Sequence, residues 1–243
     1  MFRMIYVLIY MCLYLLYSIP TLYKVKRLSG VMKVEERDRI IHELPKRWSK
    51  GIMKRSGSTV YITGQQYIPK GPVLFVSNHV GDFDIPVLLG YIEKPFGFIS
   101  KIEIKKMPII REWMEMISCI FIDRKNRKQA IQSIREGSHL LKKGHSLLIF
   151  PEGTRNKGKG LKEFKTGGIR MAKDAEVPIV PIAIRGTASM FENHSWGIKP
   201  SHIHVEVLPP IPAASIINRD VKELSCEIQS KIQSSLDEER KVS

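Results

Sequence analysis

Pro72-Val73-Leu74-Phe75-Val76-Ser77 runs directly into Asn78-His79-Val80-Gly81-Asp82-Phe83-Asp84. The leading apolar run is short, rich in β-branched and aromatic side chains and preceded by a Lys-Gly-Pro turn signal, which predicts a buried strand. A histidine just past the end of such a strand is aimed into a cleft. Asp82 and Asp84 follow closely, and either carboxylate could hold one imidazole nitrogen so that the other accepts a proton. A plainer role fits as well. Either aspartate could cap a helix begun by Ile85-Pro86-Val87-Leu88-Leu89, with Pro86 tolerated in its first turn and His79 no more than a turn residue. By itself the stretch leaves both roles open and the two carboxylates equal.

Outward from it the pattern alternates. Strands are predicted over Thr59–Thr63, Val73–Ser77, Phe96–Ser100, Cys119–Ile122, Ser146–Phe150, Ile179–Ile184 and Ile203–Leu208. Helices are predicted over Ile85–Tyr91, Pro108–Ile117, Arg127–Lys143 and Gly167–Ala175, with a polar-rich helix over 214–243 docked on the outside. Arg127–Lys143 is the clearest, with Gly144 just past its end. Such alternation implies an α/β fold with a mostly parallel central sheet flanked by helices. No repeat or linker divides residues 57–243, which read as one domain; residues 1–56 read as a membrane-anchoring helical segment.

The chain has 243 residues, 43% of them hydrophobic, which argues against general disorder, and a formal charge of +15. That charge draws polyanions: nucleic acid, anionic lipid or phosphorylated small molecules. Cys12, Cys119 and Cys226 are far apart, form no metal-spaced pair, and fit a reducing cytoplasmic setting.

The N-terminal segment separates these partners. Met4 to Tyr17 is unbroken and apolar, followed by Ser-Ile-Pro and then Lys24, Lys26 and Arg27. As a helix the run reaches only ~21 Å, short of a hydrocarbon core of about 30 Å, and extending it to Leu22 carries Pro20 into the bilayer. Tyr6, Tyr10, Tyr14 and Tyr17 recur at helical spacing, and tyrosine prefers the headgroup level. A helix lying in or dipping into one leaflet is therefore expected. A cleavable signal peptide is disfavoured because no small-residue cleavage site follows. Val34 to Leu44 reads as an amphipathic helix ended near Pro45, either a solvated linker face or a second membrane-surface helix. Trp48 and the cations from Lys46 to Arg55 suit an anionic headgroup layer.

Three more stretches lie beside predicted strands, whose carboxyl ends gather ligands in open α/β sheets. They are Ile120-Phe121-Ile122-Asp123-Arg124, Phe150-Pro151-Glu152-Gly153-Thr154-Arg155 and Val177-Pro178-Ile179-Val180-Pro181-Ile182. Arginine presents a planar fork that matches phosphate, so Arg124 and Arg155 together could clamp one; singly, each could instead pair with Asp123 or Glu152. Glu152-Gly153-Thr154 offers a tight turn whose amides can approach a ligand. Lys157, Lys159, Lys162, Lys165, Arg170 and Lys173 extend a basic surface, either a solvated face or a contact for a headgroup or carrier protein.

In this order the four stretches, from His-x4-Asp to the two-proline strand, resemble the four motifs of the glycerolipid acyltransferases, most closely the bacterial 1-acyl-glycerol-3-phosphate acyltransferases. The resemblance runs from about Val73 to Arg185. It implies that His79 is the base and Asp84, not Asp82, its orienting carboxylate. It implies that Arg124, Glu152, Gly153, Thr154 and Arg155 hold the acceptor's phosphate and glycerol. Ser100-Lys101-Ile102-Glu103-Ile104 is similar to the family's Lys-x-Glu-Leu segment, which makes Lys101 a further phosphate candidate. Asn156 departs from the serine many members carry. The expected reaction moves an acyl group from acyl carrier protein or coenzyme A to the sn-2 hydroxyl of lysophosphatidic acid, forming phosphatidic acid at the cytoplasmic side of a bacterial membrane. No metal or other cofactor and no nucleic-acid partner is expected. Amides near Gly153 or in the Val177 to Ile182 strand are candidate oxyanion donors. The competing classes are another lysophospholipid acyltransferase, a metal-dependent phosphohydrolase using His79, Asp82 and Asp84, and a non-catalytic binder of anionic lipid.

Overall fold

Strands covered on both faces must be apolar on both sides, so they read as continuous hydrophobic runs rather than alternating ones. That is the character of Leu74–Ser77 and Leu147–Ile149, both buried along their whole length at the centre of the sheet. The computed structural model describes residues 2–28, 32–194 and 197–238. Along the chain the elements are α1 (Phe2–Leu28), α2 (Val34–Ser56), β1 (Thr59–Thr63), β2 (Leu74–Ser77), α3 (Asp84–Tyr91), β3 (Gly97–Lys101), α4 (Pro108–Met116), β4 (Ile120–Ile122), α5 (Arg127–Lys142), β5 (Leu147–Ile149), α6 (Thr166–Ala175), β6 (Ile179–Arg185), β7 (His202–Val207) and α7 (Val221–Glu238).

The seven strands form one sheet in the order β1-β7-β6-β2-β5-β3-β4. All neighbours are parallel except β6 and β7. Side chains alternate between two cores. Phe75, Leu148, Val180 and Ile182 face α1 to α4, whereas Leu74, Val76, Leu147 and Ile149 face α5 to α7. The expected mostly parallel sheet with flanking helices is therefore the observed architecture. Its parallel strands β2, β3, β4 and β5 deliver their carboxyl ends to one edge, where the motif residues lie.

Pro45, expected to end a helix, lies inside one. Pro45 sits within α2, which continues to Ser56 and stops at Gly57 in the left-handed conformation. A proline in a helix interior removes one hydrogen bond at a cost of about 3 kcal/mol. Here Ile41, His42, Pro45, Ile52 and Met53 are all buried, so packing of this face offsets the loss. The helix thus buries one face against α3 while its opposite face is exposed. Pro20 likewise lies within α1, which is one unbroken helix. Phe2–Arg27, 26 residues of mean hydropathy 1.8, is long and apolar enough to cross a membrane. The limit of fourteen residues was set by sequence polarity, not by the helix. The tyrosines do share a face, with the rings of Tyr10, Tyr14 and Tyr17 in contact. Tyr10 and Tyr14 nonetheless turn towards α2, Tyr10 under the Arg55 guanidinium at 3.7 Å, while Tyr6 and Tyr17 are exposed. The last helix is shorter than predicted, beginning at Val221; residues 239–243 of its predicted span lie outside the described residues.

Candidate active site

Where β2 ends, Asn78 prolongs the ladder with its side chain. Its Nδ2 donates to the Ile184 carbonyl at 2.8 Å and its Oδ1 accepts from the Ile184 amide at 2.9 Å. A side chain that makes both bonds of a strand pair lets its own backbone turn, and His79 leaves the sheet there. His79 Nδ1 lies 2.7 Å from Asp84 Oδ2. Asp84 opens α3 and has no exposed surface. The same Oδ2 accepts from the amides of Val80 at 2.6 Å and Gly81 at 2.9 Å. With Asp84 as acceptor the ring proton sits on Nδ1, and Nε2 keeps a lone pair for the cleft that His79 lines. Phe150 stacks on the imidazole at 4.1 Å between centroids and 16° between planes, which fixes the ring's orientation.

The structure thereby separates the two aspartates. Asp82 has a side chain 57% exposed and pairs with Arg155. His79, Asp82 and Asp84 do not converge as a ligand set, and among the described residues no group of three or more His, Cys, Asp or Glu side chains is arranged to hold a metal.

Glu152 is placed differently from the expectation. It is buried, and its carboxylate accepts from the His79 amide at 2.7 Å, from the Lys162 amide at 3.0 Å and from Asn156 Nδ2. Burial raises its pKa above the usual carboxylate range, and the donated hydrogen bonds oppose that shift. Glu152 therefore braces the backbone of His79 instead of lining the cleft. Asn156, set aside in the sequence, belongs to the same brace: its amide donates to the His79 carbonyl at 2.7 Å and Lys157 donates to the Val80 carbonyl at 3.0 Å.

Beside His79 opens a cleft of about 570 Å³, lined by Lys101, Arg124, Gly153, Thr154, Arg155 and Lys165 among others. Arg124 is exposed at the cleft; partial desolvation lowers its pKa and nearby Glu103 opposes that. It does not pair with Asp123, whose Oδ1 accepts from the Lys125 amide. Arg155 does not pair with Glu152 either. It binds Asp82 and lies 3.6 Å from the buried side chain of Glu192. Glu192 in turn accepts from the Asp82 amide at 2.6 Å, and burial raises its pKa. Gly153, at φ 70°, makes the tight turn, and a side chain there would crowd Lys165 Nζ, 3.2 Å from an added Cβ. Lys165 thus leaves the general basic surface and joins the cleft.

A second cavity of about 240 Å³ adjoins the first and is walled by Tyr14, Leu15, Leu44, Trp48, Trp113 and Met114. Ile85, Phe98, Ser100 and Ile104 line both. A cleft lined by cations thus lies next to an apolar pocket across a shared wall, with the His79–Asp84 pair beside the cations.

Several of the expected oxyanion amides are already engaged. Gly153 donates to Phe150, Val177 to Ala172 and Ile179 to Ile211; the amides of Val180 and Ile182 lie within the β6 ladder. Pro178 and Pro181 have no N–H to give. The two-proline strand therefore supports β2 from behind. Its functional yield comes just beyond it, at Thr187, whose hydroxyl donates to Asp84 Oδ1 at 2.5 Å. Neither Thr187 nor Glu192 stands at a recognisable spacing from His79; only pairing of β6 with β2 brings Thr187 near.

Comparison with known proteins shows the family to which this fold and cleft belong. The family model described as Acyltransferase matches residues 59–185, just over half the chain and all four motif stretches. The chain belongs to this family. It is 30% identical over 161 residues to the 1-acyl-sn-glycerol-3-phosphate acyltransferase of Escherichia coli, covering 66% of this chain and 65% of that one. It is 35% identical over 181 residues to a chloroplastic enzyme of the same name from Arabidopsis thaliana, covering 73% of this chain and 49% of that one. The crystal structure of the 1-acyl-sn-glycerophosphate acyltransferase from Thermotoga maritima superposes with a TM-score of 0.78 at 25% identity, covering 98% of both chains. The matches span about half the length of several curated relatives.

Proposed function

We propose that the protein transfers a fatty acyl group from an acyl thioester to the sn-2 hydroxyl of 1-acyl-sn-glycerol-3-phosphate, forming phosphatidic acid. The observation that carries this reading is an Asp-held histidine lining a cleft that also carries Lys101, Arg124, Arg155 and Lys165 and that shares the wall of Ile85, Phe98, Ser100 and Ile104 with an apolar pocket. A lysophospholipid needs a proton acceptor at its hydroxyl and cations at its phosphate; the transferred chain needs an apolar sleeve.

In this reading Nε2 of His79 takes the hydroxyl proton as the oxygen attacks the thioester carbonyl. The C–O bond forms, the tetrahedral oxyanion collapses, the C–S bond breaks, and the departing thiolate takes the proton back from His79. General-base help of this kind contributes about 10²–10⁴-fold. Arg124 and Arg155, with Lys101 and Lys165, neutralise the acceptor phosphate, Gly153 and Thr154 shape the turn beside it, and the apolar pocket holds the acyl chain. No covalent enzyme intermediate and no cofactor is required; acyl carrier protein and coenzyme A thioesters are the two donors to be compared. Residues 1–56 act as the anchor to the cytoplasmic face of a bacterial membrane, and residues 57–243 carry the chemistry.

The test is a labelled-acyl transfer assay on the full chain in detergent or vesicles, with lysophosphatidic acid and other lysophospholipids and with both donors. Formation of phosphatidic acid that vanishes in His79→Ala supports the reading. No transfer from either donor by a folded protein, or near-normal turnover by His79→Ala, overturns it.

A further inference from the structure

Thr187 is a buried hydroxyl to which the reaction just described assigns no task. It has no exposed surface and follows β6 directly, in Arg185-Gly186-Thr187. Its Oγ1 donates to Asp84 Oδ1 at 2.5 Å, a contact between residues 103 apart in the chain. The two carboxylate oxygens are treated differently. Oδ2 meets the His79 ring and the amides of Val80 and Gly81, all within its own turn. Among the described residues, the hydrogen bond recorded at Oδ1 is that of Thr187.

A carboxylate fixed through one oxygen can still pivot, because the terminal torsion of aspartate is broad and weakly restricted. A bond to the second oxygen sets the plane of the group, and with it the direction from which Oδ2 meets Nδ1. The chain path that delivers the hydroxyl is itself specified. Gly186 has φ 90°, and a Cβ there would lie 2.2 Å from the His202 carbonyl oxygen of β7. Only glycine passes this close to the neighbouring strand, so the pairing of β6 with β7 aims the next residue at Asp84.

We propose that Thr187 is a positioning residue for acyl transfer: its hydroxyl locks the Asp84 carboxylate in the plane that orients His79 for proton acceptance. The proposal rests on the acyl-transfer reading and concerns a residue in contact with neither substrate. It predicts a loss in turnover without a loss in acceptor binding.

The experiment compares Thr187→Ser, which keeps the hydroxyl, with Thr187→Val, which keeps the shape and removes the donor. Each is assayed as the full chain with lysophosphatidic acid and an acyl thioester, with rates normalised to folded protein from a thermal melt. Thr187→Val is expected to lower kcat by about 10- to 100-fold with KM for the acceptor within about twofold, and Thr187→Ser to restore kcat to within about threefold. If Thr187→Val yields no folded protein, Thr187→Cys, of similar size and a weaker donor, carries the test and is expected to fall below Thr187→Ser in kcat. Wild-type kcat in the donor-free variant, a serine variant no better than valine, or a fall in activity expressed mainly in KM would overturn the proposal. An inactive wild type would instead indict the acyl-transfer reading itself.

Discussion

Around His79 the polar groups are buried and bonded to one another, whereas most of the cations lining the same cleft are exposed and, Arg155 aside, without a recorded ion pair among the described residues. Asp84 has no exposed surface and takes four hydrogen bonds, and Glu152 braces the His79 backbone from below. Arg155, by contrast, pairs with the exposed Asp82 and has the buried Glu192 side chain 3.6 Å away, and no ion pair is recorded for Lys101, Arg124 or Lys165 among the described residues. The contrast separates two tasks. Proton transfer demands fixed geometry before the substrate arrives, while phosphate capture demands positive charge left uncommitted until an anion brings its own.

The largest effect that would break this contrast is at the rigid side. His79→Ala and Asp84→Asn are expected to reduce kcat about 10³-fold with little change in acceptor KM. A loss seen mainly in KM would place the pair in binding instead. Next, Arg124→Ala and Arg155→Ala are each expected to raise KM for lysophosphatidic acid about 10-fold or more, since a charge-assisted hydrogen bond contributes about 1.5–3 kcal/mol. An unchanged KM in either variant would remove that arginine from the phosphate site. Asp82→Asn, which releases Arg155 from its exposed partner, should lower KM by up to about fivefold, because exposed ion pairs are worth ~0–1 kcal/mol. A rise in KM would mean that Asp82 aims Arg155 rather than competing for it.

The smallest effect on turnover is expected at a buried histidine away from the cleft. His42, on α2 beside Phe96, leaves Nε2 without a partner, and burial lowers its pKa from 6.5 to about 4. The folded state therefore prefers the neutral ring. Its stabilising preference is full above about pH 6.5 and is lost as pH falls towards about 4, about 3 kcal/mol in all. His42→Phe should leave kcat at neutral pH unchanged and flatten that part of the acid dependence of unfolding, measured by denaturant titration. An acid dependence identical to wild type would show that His42 is not its source.

The strands were legible because the sheet is covered on both sides, and continuous apolar runs such as Val73–Ser77 have few other readings. Pro45 misled, because a proline ends a helix only when packing does not compensate, and packing is not written locally. In the site, His79, Asp84, Arg124 and Arg155 were visible because each sits in a short run beside a strand end. Asp82 could not be told from Asp84 by spacing; the structure distinguishes them by burial and by Arg155. Glu152 was visible as a residue but not in its task, since a carboxylate facing a cleft and one facing a backbone amide have the same sequence. Thr187 and Glu192 were invisible, because their proximity to the His79 turn is a property of strand pairing and of the loop beyond β6.

Trp113 donates through Nε1 to the Ser18 hydroxyl at 2.8 Å, joining α4 to α1, and Ser18, Leu15 and Tyr14 form one wall of the apolar pocket. The apolar N-terminal helix is therefore not a detachable tether. A chain trimmed of that helix for convenience of purification would keep its histidine and arginines but lose one side of the pocket. Its choice among chain lengths would then describe the truncated molecule and not the native one.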